Sequence, residues 1–373
     1  MYKAMLFLLI VMPPLVSAHK SSDSYITLTE TNGMVNGRWD IALRDLEYAI
    51  GVDKNGDGVI TWGELRAKQT EIENYAFSRF SVTGSGTACA INRNQLQVGR
   101  HSDGQYAVLN FDLLCSLSAN RLLVDYRLFF DLDPTHRGLV NIQSQTDTEF
   151  LVFSPENTKF DIKLNQSNQL GTIMQFFQEG VWHIWKGTDH ILFLLCLLLP
   201  VVVRREQGRW VCVNNFREVN WQVAKIVTAF TFAHSITLSL AVLDIVALPS
   251  QFVEATIAFS VILAAANNIF PLFNEKAWQF AFIFGLIHGF GFASVLSELE
   301  LSTTVLGSSI FGFNLGVEVG QLVIVALFLP LAYSVRSYKF YQHVVLRFGS
   351  QLIMAIAAVW FTQRAFNVDL FQL

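Results

Sequence analysis

Residues 180–203 read GVWHIWKGTDHILFLLCLLLPVVV, an apolar run long enough to cross a lipid bilayer. Its first half nevertheless contains His183, Lys186, Asp189 and His190. An Asp or Lys costs about 2.5–3.5 kcal/mol at the centre of a membrane helix, so such residues usually face a protein interior or a wet cavity. His183 and His190 are seven residues apart, about two helical turns, and therefore share one helix face. We interpret this segment as a membrane-spanning helix that carries a functional site.

The composition indicates that the chain combines a polar part with a membrane part. Of the 373 residues, 52% are hydrophobic and only 15% are charged, which is too apolar for an ordinary soluble protein. Residues 19–170 are polar, whereas residues 175–373 are predominantly hydrophobic. We therefore predict an exported domain followed by a polytopic domain embedded in the lipid bilayer. The formal net charge of −4 gives no reason to expect nucleic acid as a partner.

The first 18 residues have the features of a secretory signal peptide: Lys3, a short apolar core and the small-residue end Val16-Ser17-Ala18. We expect cleavage after Ala18, and an uncleaved anchor is the alternative. Cleavage would make His19 the mature N-terminus, where its amine and imidazole together can chelate copper or nickel. The simpler alternative is that His19 only follows the cleavage site.

Residues 53–64, DKNGDGVITWGE, match the EF-hand calcium loop at each of its defining positions. Gly58 occupies the sixth position, where the backbone must turn sharply. The predicted calcium ligands are Asp53, Asn55, Asp57, the carbonyl of Val59, Thr61 or a water that it holds, and both carboxylate oxygens of Glu64. Flanking helices are predicted over residues 39–50 and 62–80. A single loop in an exported domain needs only weak binding, on the order of 10⁻⁴–10⁻³ M, for a structural role; an acidic turn without calcium is the alternative.

The remainder of the polar part has the pattern of short β-strands separated by turn residues. The predicted strands cover residues 25–29, 88–98, 106–116, 121–131, 138–143 and 149–153. They indicate a small β-sandwich into which the EF-hand helical unit is inserted. Cys89 and Cys115 lie in this part, where oxidising conditions would let them form a disulfide. His101 and His136 lie in turns and are expected at the surface, and residues 157–171 resemble a polar connector.

Hydropathy predicts six membrane spans. They cover residues 179–203, 223–244, 252–271, 278–297, 306–334 and 345–363. Arg or Lys residues occur in the loops after the first, third and fifth spans, and none in the loops at 245–251 and 298–305. Because basic loops remain in the cytoplasm, we place the exported domain and the C-terminus in the periplasm, on the outer side of a bacterial-type inner membrane. The predicted fold is thus multi-domain: a signal peptide, a β-sandwich-like domain with an EF-hand unit, and a six-span α-helical domain.

Polar side chains on several of these spans are predicted at comparable depth in the membrane. They are His183, Asp189 and His190 on the first span, His234 on the second, His288 on the fourth and Glu318 on the fifth. Imidazole suits nickel, zinc and copper, and carboxylates orient the imidazoles and balance the charge of the ion. We predict a transition-metal site from these six residues and assign no catalytic residue. The alternative is that the histidines are packing residues.

Two segments resemble motifs of the HupE/UreJ family. Residues 183–190, HIWKGTDH, form an H-x5-D-H motif in a first transmembrane helix. Residues 287–293, IHGFGFA, are similar to the family's second motif, F-H-G-x-A-H-G. In that second motif, Ile287 replaces the Phe and Phe292 replaces the second His. The resemblance implies a membrane protein that takes up nickel or cobalt for hydrogenase and urease maturation.

The resemblance covers residues 180–365 and leaves the exported domain as an additional module. With one motif histidine absent, His234 or Glu318 would complete the ligand set, which leaves zinc or copper as further candidate ions. A metal permease is the leading hypothesis. One alternative is an intramembrane zinc-dependent hydrolase that uses the four histidines. Another is a non-transporting accessory or receptor protein whose exported domain binds a protein partner. The metal content of the purified protein would discriminate among the three.

Overall fold

The computed structural model describes residues 22–31, 34–84, 86–101, 104–115, 121–143, 148–163, 169–206, 209–270, 276–297 and 303–368. The predicted signal peptide over residues 1–18 and the predicted mature terminus at His19 lie outside these residues. The chain divides into two compact units. An N-terminal unit contains His19–Gln175 and Glu298–Ser308, and a helical unit contains Phe176–Ser297 and Ser309–Leu373.

The N-terminal unit is rich in β-structure. Its strands are β1 (Asp23–Thr31), β2 (Met34–Ala42), β3 (Phe80–Gly84), β4 (Thr87–Ala88), β5 (Ala90–His101), β6 (Gly104–Leu114), β7 (Arg121–Tyr126), β8 (Arg137–Gln143), β9 (Thr148–Phe153) and β10 (Lys159–Lys163), and its helices are α1 (Leu43–Ile50), α2 (Trp62–Ala67) and α3 (Gln69–Phe77). Six strands form one sheet in the order β5-β6-β2-β1-β8-β9, and four form another in the order β10-β7-β3-β4. β1 and β8 pair in parallel, and the remaining described pairs in these two sheets are antiparallel.

The two sheets of this unit share one apolar core. Trp39 on β2 is completely buried, and its ring lies 5.2 Å from that of Phe80 on β3 and 5.8 Å from that of Tyr126 on β7. Phe111 on β6 completes the contact between the sheets, 5.7 Å from Phe80. Tilted and edge-on aromatic pairs of this kind add about 0.5–1.5 kcal/mol each to the gain from burial. A disulfide joins Cys89 to Cys115 and so links the start of β5 to the end of the neighbouring strand β6.

Several predicted elements of this unit have different bounds in the structure; the strand expected over residues 121–131, for example, ends at Tyr126. The helix expected over residues 39–50 begins only at Leu43, because Trp39 belongs to β2, which pairs with a strand on each side. The helix expected over residues 62–80 breaks at Lys68 and ends at Phe77. The predicted connector at 157–171 contains β10, whose Ile162 is buried in the core. For Trp39 and for β10, pairing between distant segments outweighs the local pattern.

His136, which the sequence predicts at the surface, is completely buried. Its Nε2 lies 2.7 Å from the hydroxyl of Tyr126, and its Nδ1 lies 2.6 Å from Ser22 Oγ. Ser22 in turn donates to Asp45 Oδ2 at 2.8 Å, so the neutral His136 accepts from Tyr126 and donates to Ser22. The prediction for His101 was also wrong: its side chain is 10% exposed and contacts Asp40 Oδ2 at 2.7 Å.

This chain of hydrogen bonds makes the N-terminal unit sensitive to acid. Burial lowers the pKa of His136 from 6.5 to about 3, so the unfolded chain binds the proton more tightly than the folded one. Stability is therefore complete above pH 6.5 and falls as the pH is lowered, by about 2 kcal/mol at pH 5. Burial raises the pKa of Asp45, which acts in the opposite direction at the acidic end. Urea pulse proteolysis of the full chain at pH 7 and pH 5 should show this loss, and His136→Gln should reduce it; an equal loss in the variant would contradict the assignment.

The helical part of the chain is built from seven α-helices in its described residues. They are α4 (Gln169–Lys186), α5 (Thr188–Leu198), α6 (Phe216–Val242), α7 (Ser250–Ile269), α8 (Ala277–Ser297), α9 (Thr303–Val335) and α10 (Gly349–Phe366). A 3-10 turn (Leu199–Val202) and a hairpin of β11 (Val203–Glu206) and β12 (Arg209–Cys212) follow α5, and a π-helical segment (Tyr341–Phe348) precedes α10. α6 packs against α8, and α7 packs against α10.

The six predicted spans are only partly recovered. By length and apolar composition, four helical segments of the described chain can each cross a membrane: Phe216–Val242, Ser250–Ile269, Val305–Val335 and Tyr341–Phe366. The first predicted span is instead a pair of helices, Leu170–Lys186 and Thr188–Val202, bent by 69° at Gly187; counted as one span it makes a fifth. Glycine has a low helix propensity, and Gly187 has a ψ of 86°, outside the helical range. Ala277–Phe292, in the fourth predicted span, is a shorter apolar helix.

Close backbone contact positions the helices that carry the predicted site. A Cβ atom added at Gly289 on α8 would overlap Thr237 Oγ1 and the His234 carbonyl oxygen on α6. A Cβ atom added at Gly180 on α4 would overlap the Phe313 carbonyl oxygen on α9. Small residues at membrane helix interfaces allow this approach, and packing is the main attraction between helices in lipid. His234 and His288 are thereby held on facing surfaces of α6 and α8.

Candidate functional site

The bend between α4 and α5 places two of the predicted residues directly at a helix start. Gly187 donates its N–H to the His183 carbonyl at 2.9 Å, and the next helix begins at Thr188. Asp189 lies in the first turn of α5, where the exposed N–H groups favour a carboxylate. Its Oδ1 accepts from the backbone N–H of His190 at 2.9 Å and lies 3.0 Å from Nδ1 of the same imidazole. The bend therefore fixes Asp189 and His190 as one unit.

Four histidines from four helices meet beside this bend, and we refer to His183, His190, His234 and His288 as the histidine cluster. The ring of His190 lies 4.7 Å from that of His183 and 4.7 Å from that of His288. The ring of His234 lies 6.1 Å from that of His183 and 6.4 Å from that of His190. His234 and His288 are completely buried, and His190 is 7% exposed.

The hydrogen bonds of two of these rings determine where their lone pairs lie. His190 donates its Nδ1–H to Asp189, because a carboxylate can only accept. The Ser260 hydroxyl donates to the Ile257 carbonyl at 2.6 Å, so at 3.1 Å it accepts the Nε2–H of His288. The lone pairs are thus on Nε2 of His190 and Nδ1 of His288, and neither buried nitrogen has a hydrogen-bond partner. In a metal-binding histidine, one ring nitrogen typically donates a hydrogen bond, which leaves the lone pair of the other nitrogen free for the metal. The rings of His190 and His288 have this arrangement.

Further unpaired nitrogens belong to the same cluster. Nε2 of His183 and both ring nitrogens of His234 are buried without a hydrogen-bond partner. Buried polar atoms of native proteins nearly always have a partner, so each exception requires an explanation. Five such nitrogens in one cluster are difficult to reconcile with histidines that serve only packing.

Aromatic side chains enclose the histidine cluster. Phe193 and Phe230 lie 5.1 and 5.2 Å from His288, and Phe313 lies 5.3 Å from His183. Phe292, at the position of the second motif's missing histidine, lies 5.0 Å from His183 and stacks on Phe313 at 4.2 Å. The substituted position therefore still borders the cluster, and its ring closes the side of the cluster near His183.

Sequence reasoning missed Arg364 and Ser260, which contact residues of the predicted site. Arg364 on α10 lies 3.4 Å from Asp189 Oδ2 and 3.4 Å from the Glu254 carbonyl oxygen. Glu318, which was predicted as part of the site, is half-buried on α9, and no described hydrogen bond or ion pair joins it to the cluster. Arg364 is 175 residues from Asp189, so no local pattern could have indicated the contact.

Among the described residues, the histidine cluster does not form a complete set of ligands around one point. No group of three or more His, Cys, Asp or Glu side chains among them is already placed to hold one metal ion. The cluster instead offers pairs of imidazoles in ring contact, His183 with His190 and His190 with His288. Borderline divalent ions prefer such neutral imidazole ligands. Conduction requires binding of moderate strength at successive positions, because an ion must be able to leave each one.

In the predicted calcium loop of the N-terminal unit, side-chain oxygens accept hydrogen bonds from backbone N–H groups of the same loop. Asp53 accepts from the N–H groups of Gly56 and Gly58, each at 2.8 Å. Asn55 Oδ1 accepts from the N–H of Asp57, also at 2.8 Å. Gly56 and Gly58 have φ values of 72° and 81°, which only glycine adopts readily. The loop thus has the sharp turn that an EF-hand needs, lined by hard oxygen donors.

Glu64 closes this loop. Its Oε1 accepts from the N–H groups of Lys54 and Asn55 at 3.1 and 3.3 Å, and its Oε2 accepts from the backbone and the hydroxyl of Thr61. Thr61 and Glu64 form a capping box that begins α2. The hydrogen bonds from Thr61 lower the pKa of Glu64, which keeps the carboxylate ionised. The two ends of the loop are thereby held together through one carboxylate.

Comparison with known proteins identifies the family. A family model described as HupE / UreJ protein matches residues 159–364, more than half of the chain, and includes the whole histidine cluster. No curated protein matches the chain. Apolar helices long enough to span a membrane occur within the matched residues. The chain therefore belongs to the HupE/UreJ family of membrane proteins, a family that implies the handling of nickel or cobalt.

Proposed function

We propose that this protein is a permease that passes a divalent transition-metal ion, nickel or cobalt, through the histidine cluster. The observation that carries the proposal is the pair of unpartnered lone pairs on His190 Nε2 and His288 Nδ1, on rings 4.7 Å apart. His183 and His234 lie together beside His190, with their rings 6.1 Å apart, and offer further nitrogen ligands. Asp189 orients His190, and Glu318 acts further along α9.

The surroundings of the cluster support an ion path. The histidine cluster is largely buried among Phe193, Phe230 and Phe313, and the low dielectric constant of such surroundings strengthens the attraction between an ion and the imidazole dipoles. The contacts between the rings are successive, so an ion can exchange one nitrogen ligand for another as it moves. Neutral imidazoles impose no charge repulsion on the ion, and Asp189 supplies a single negative charge at the edge of the cluster.

The test of transport is radiolabelled cobalt and nickel uptake by cells with and without the chain. The proposal expects cobalt or nickel to accumulate several-fold faster in cells that contain the protein, with less effect on copper and zinc. Equal uptake of all four ions in the presence and absence of the chain would contradict transport. Tightly held, stoichiometric zinc in the purified protein would instead support a hydrolase.

We further propose that residues 53–64 bind one calcium ion, through Asp53, Asn55, Asp57, the Val59 carbonyl, Thr61 and Glu64. The hard oxygen donors and the turn at Gly58 support this assignment. The ion would tie α1 to α2 beside the core of the N-terminal unit. Together with the predicted signal peptide and the basic loops, this favours a periplasmic position for that unit, where calcium can be abundant.

The calcium proposal predicts a stability gain that depends on Glu64. With a dissociation constant on the order of 10⁻⁴–10⁻³ M, 10 mM calcium should stabilise the N-terminal unit by about 1.4–2.7 kcal/mol. Glu64→Gln removes a carboxylate and should abolish most of this gain. Glu71→Gln, on the exposed side of α3, is the matched control and should keep it. Urea pulse proteolysis of the full chain with and without calcium measures the difference; an undiminished gain in Glu64→Gln would contradict the site.

A further inference from the structure

Asp189 divides its two carboxylate oxygens between two different partners. Oδ1 accepts from His190, and Oδ2 lies 3.4 Å from Nη1 of Arg364. The side chains of Asp189 and Arg364 are only 15% and 21% exposed, so most of the pair is withdrawn from water. A carboxylate in such surroundings needs a positive charge nearby. Arg364 provides that charge from α10, at the far end of the chain.

The contact of Arg364 is loose by comparison with another Arg–Asp pair in the same protein. Arg38 holds Asp40 through two nitrogens, Nε and Nη2, at 2.8 and 2.9 Å. Arg364 uses the single nitrogen Nη1, which it shares between Asp189 and the Glu254 carbonyl at 3.4 Å each. Bidentate pairs are stronger and more specific than such single contacts. The Arg364 guanidinium, which also lies 5.9 Å from the centroid of the Trp360 ring, is therefore held without a bidentate contact.

The position of Arg364 in α10 also permits movement. The helix ends at Phe366, and Asn367 follows in a left-handed conformation. A long side chain near a helix end can extend its charged group to the membrane interface. Arg364 thus lies in the last turn of α10, where such an extension of the side chain needs no change in the helix axis.

We infer that Arg364 is an internal counter-cation, which neutralises Asp189 while the histidine cluster is free and is displaced when a divalent ion enters the cluster. The inference rests on the proposed function, since it assigns the resting partner of the same site. An entering ion brings two positive charges close to Asp189 and takes over the role of Arg364. The return of Arg364 to Asp189 then weakens the hold on the ion and promotes its release. Arg364 is a positioning residue, acting through Asp189.

This exchange predicts that binding and transport change in opposite directions. Arg364→Gln removes the competing charge, so cobalt should bind about tenfold more tightly to the purified full chain while uptake by cells becomes several-fold slower. Arg364→Lys keeps the charge and should stay within about threefold of the wild type in both assays. Arg347→Gln, at an exposed position of the preceding π-helical segment, is the matched control and should change neither. A purely structural role would instead weaken binding and uptake together.

A measurement on the wild-type chain keeps the inference testable if Arg364→Gln does not fold. Phenylglyoxal modifies accessible arginines, and peptide mass spectrometry reports the extent at Arg364. Saturating cobalt should accelerate modification of Arg364 several-fold and leave Arg347 unchanged. Unchanged or slower modification of Arg364, or cobalt binding to Arg364→Gln that is no tighter than the wild type, would overturn the inference while the proposed function stands. Failure of the wild-type chain to bind cobalt would contradict both the inference and the proposed function.

Discussion

Replacing His190 with alanine is expected to reduce cobalt uptake at least tenfold, with the amount of protein in the membrane unchanged. The substitution removes the nitrogen Nε2 that faces no protein donor, and it removes the ring that lies 4.7 Å from both His183 and His288. It also deprives Asp189 Oδ1 of its imidazole partner. Losing an outer partner of a metal ligand alone typically costs 10–100-fold in affinity or activity, so loss of the ligand should cost at least as much.

The matched control for this variant is His343→Ala. His343 is exposed in the π-helical segment, where its Nδ1 lies 3.0 Å from the Lys339 carbonyl oxygen and contacts no member of the histidine cluster. Uptake by His343→Ala should equal that of the wild type. Wild-type uptake by His190→Ala, at equal expression, would show that the path of the ion lies elsewhere.

Replacing Gly187 with alanine should have an effect of similar size, although the side chain gained is a single methyl group. A Cβ atom at this position would lie 2.7 Å from His190 Nδ1 and 2.8 Å from the His183 carbonyl oxygen, with Asp189 Oδ1 at 3.3 Å. The backbone at the bend must shift to relieve these contacts, which moves the imidazole of His190. A binding site that is displaced by about 1 Å loses most of its activity. We expect cobalt uptake to fall at least tenfold.

Gly307→Ala is the control for that substitution, because a Cβ atom there would meet nothing within 4 Å, also in a helix. It should leave uptake unchanged. The double variant with His190→Ala gives a second check. If Gly187→Ala acts by displacing His190, it should add little to the loss caused by His190→Ala. A multiplicative loss in the double variant would mean that the bend acts independently of His190.

Much of the architecture could be predicted from local patterns. Each apolar run and each alternating strand is recognisable within a single segment, and the family resemblance rests on two short motifs, at residues 183–190 and 287–293. The pattern failed where pairing between distant segments decides the outcome. Trp39 has helix-compatible neighbours, yet it lies in β2 between β1 and β6. His136 sits beside turn residues, yet Ser22 and Tyr126 bury it.

Local sequence could likewise predict some features of the candidate site but not those that depend on distant segments. The motif residues His183 and His190 are close in sequence and their rings do meet, but the expectation of one shared helix face was wrong, because the break at Gly187 puts them on α4 and α5. The bend at Gly187 was not predictable, because a hydropathy window averages over a break of one residue. Arg364 could not be found either, since its partner lies 175 residues away and its charge lies at the edge of the last predicted span. The sequence alone also left open whether the histidines of four helices would meet.

The most direct test of the histidine cluster as an ion path is cobalt titration of the purified full chain, followed by its visible absorption. Imidazole ligands give bound cobalt characteristic d–d bands, which differ from those of the hydrated ion. The wild-type chain should develop these bands and reach saturation, and so should His343→Ala and Glu64→Gln. The double variant His183→Ala/His190→Ala should not develop them. Bands of equal intensity in the double variant, or none in the wild type, would contradict the account.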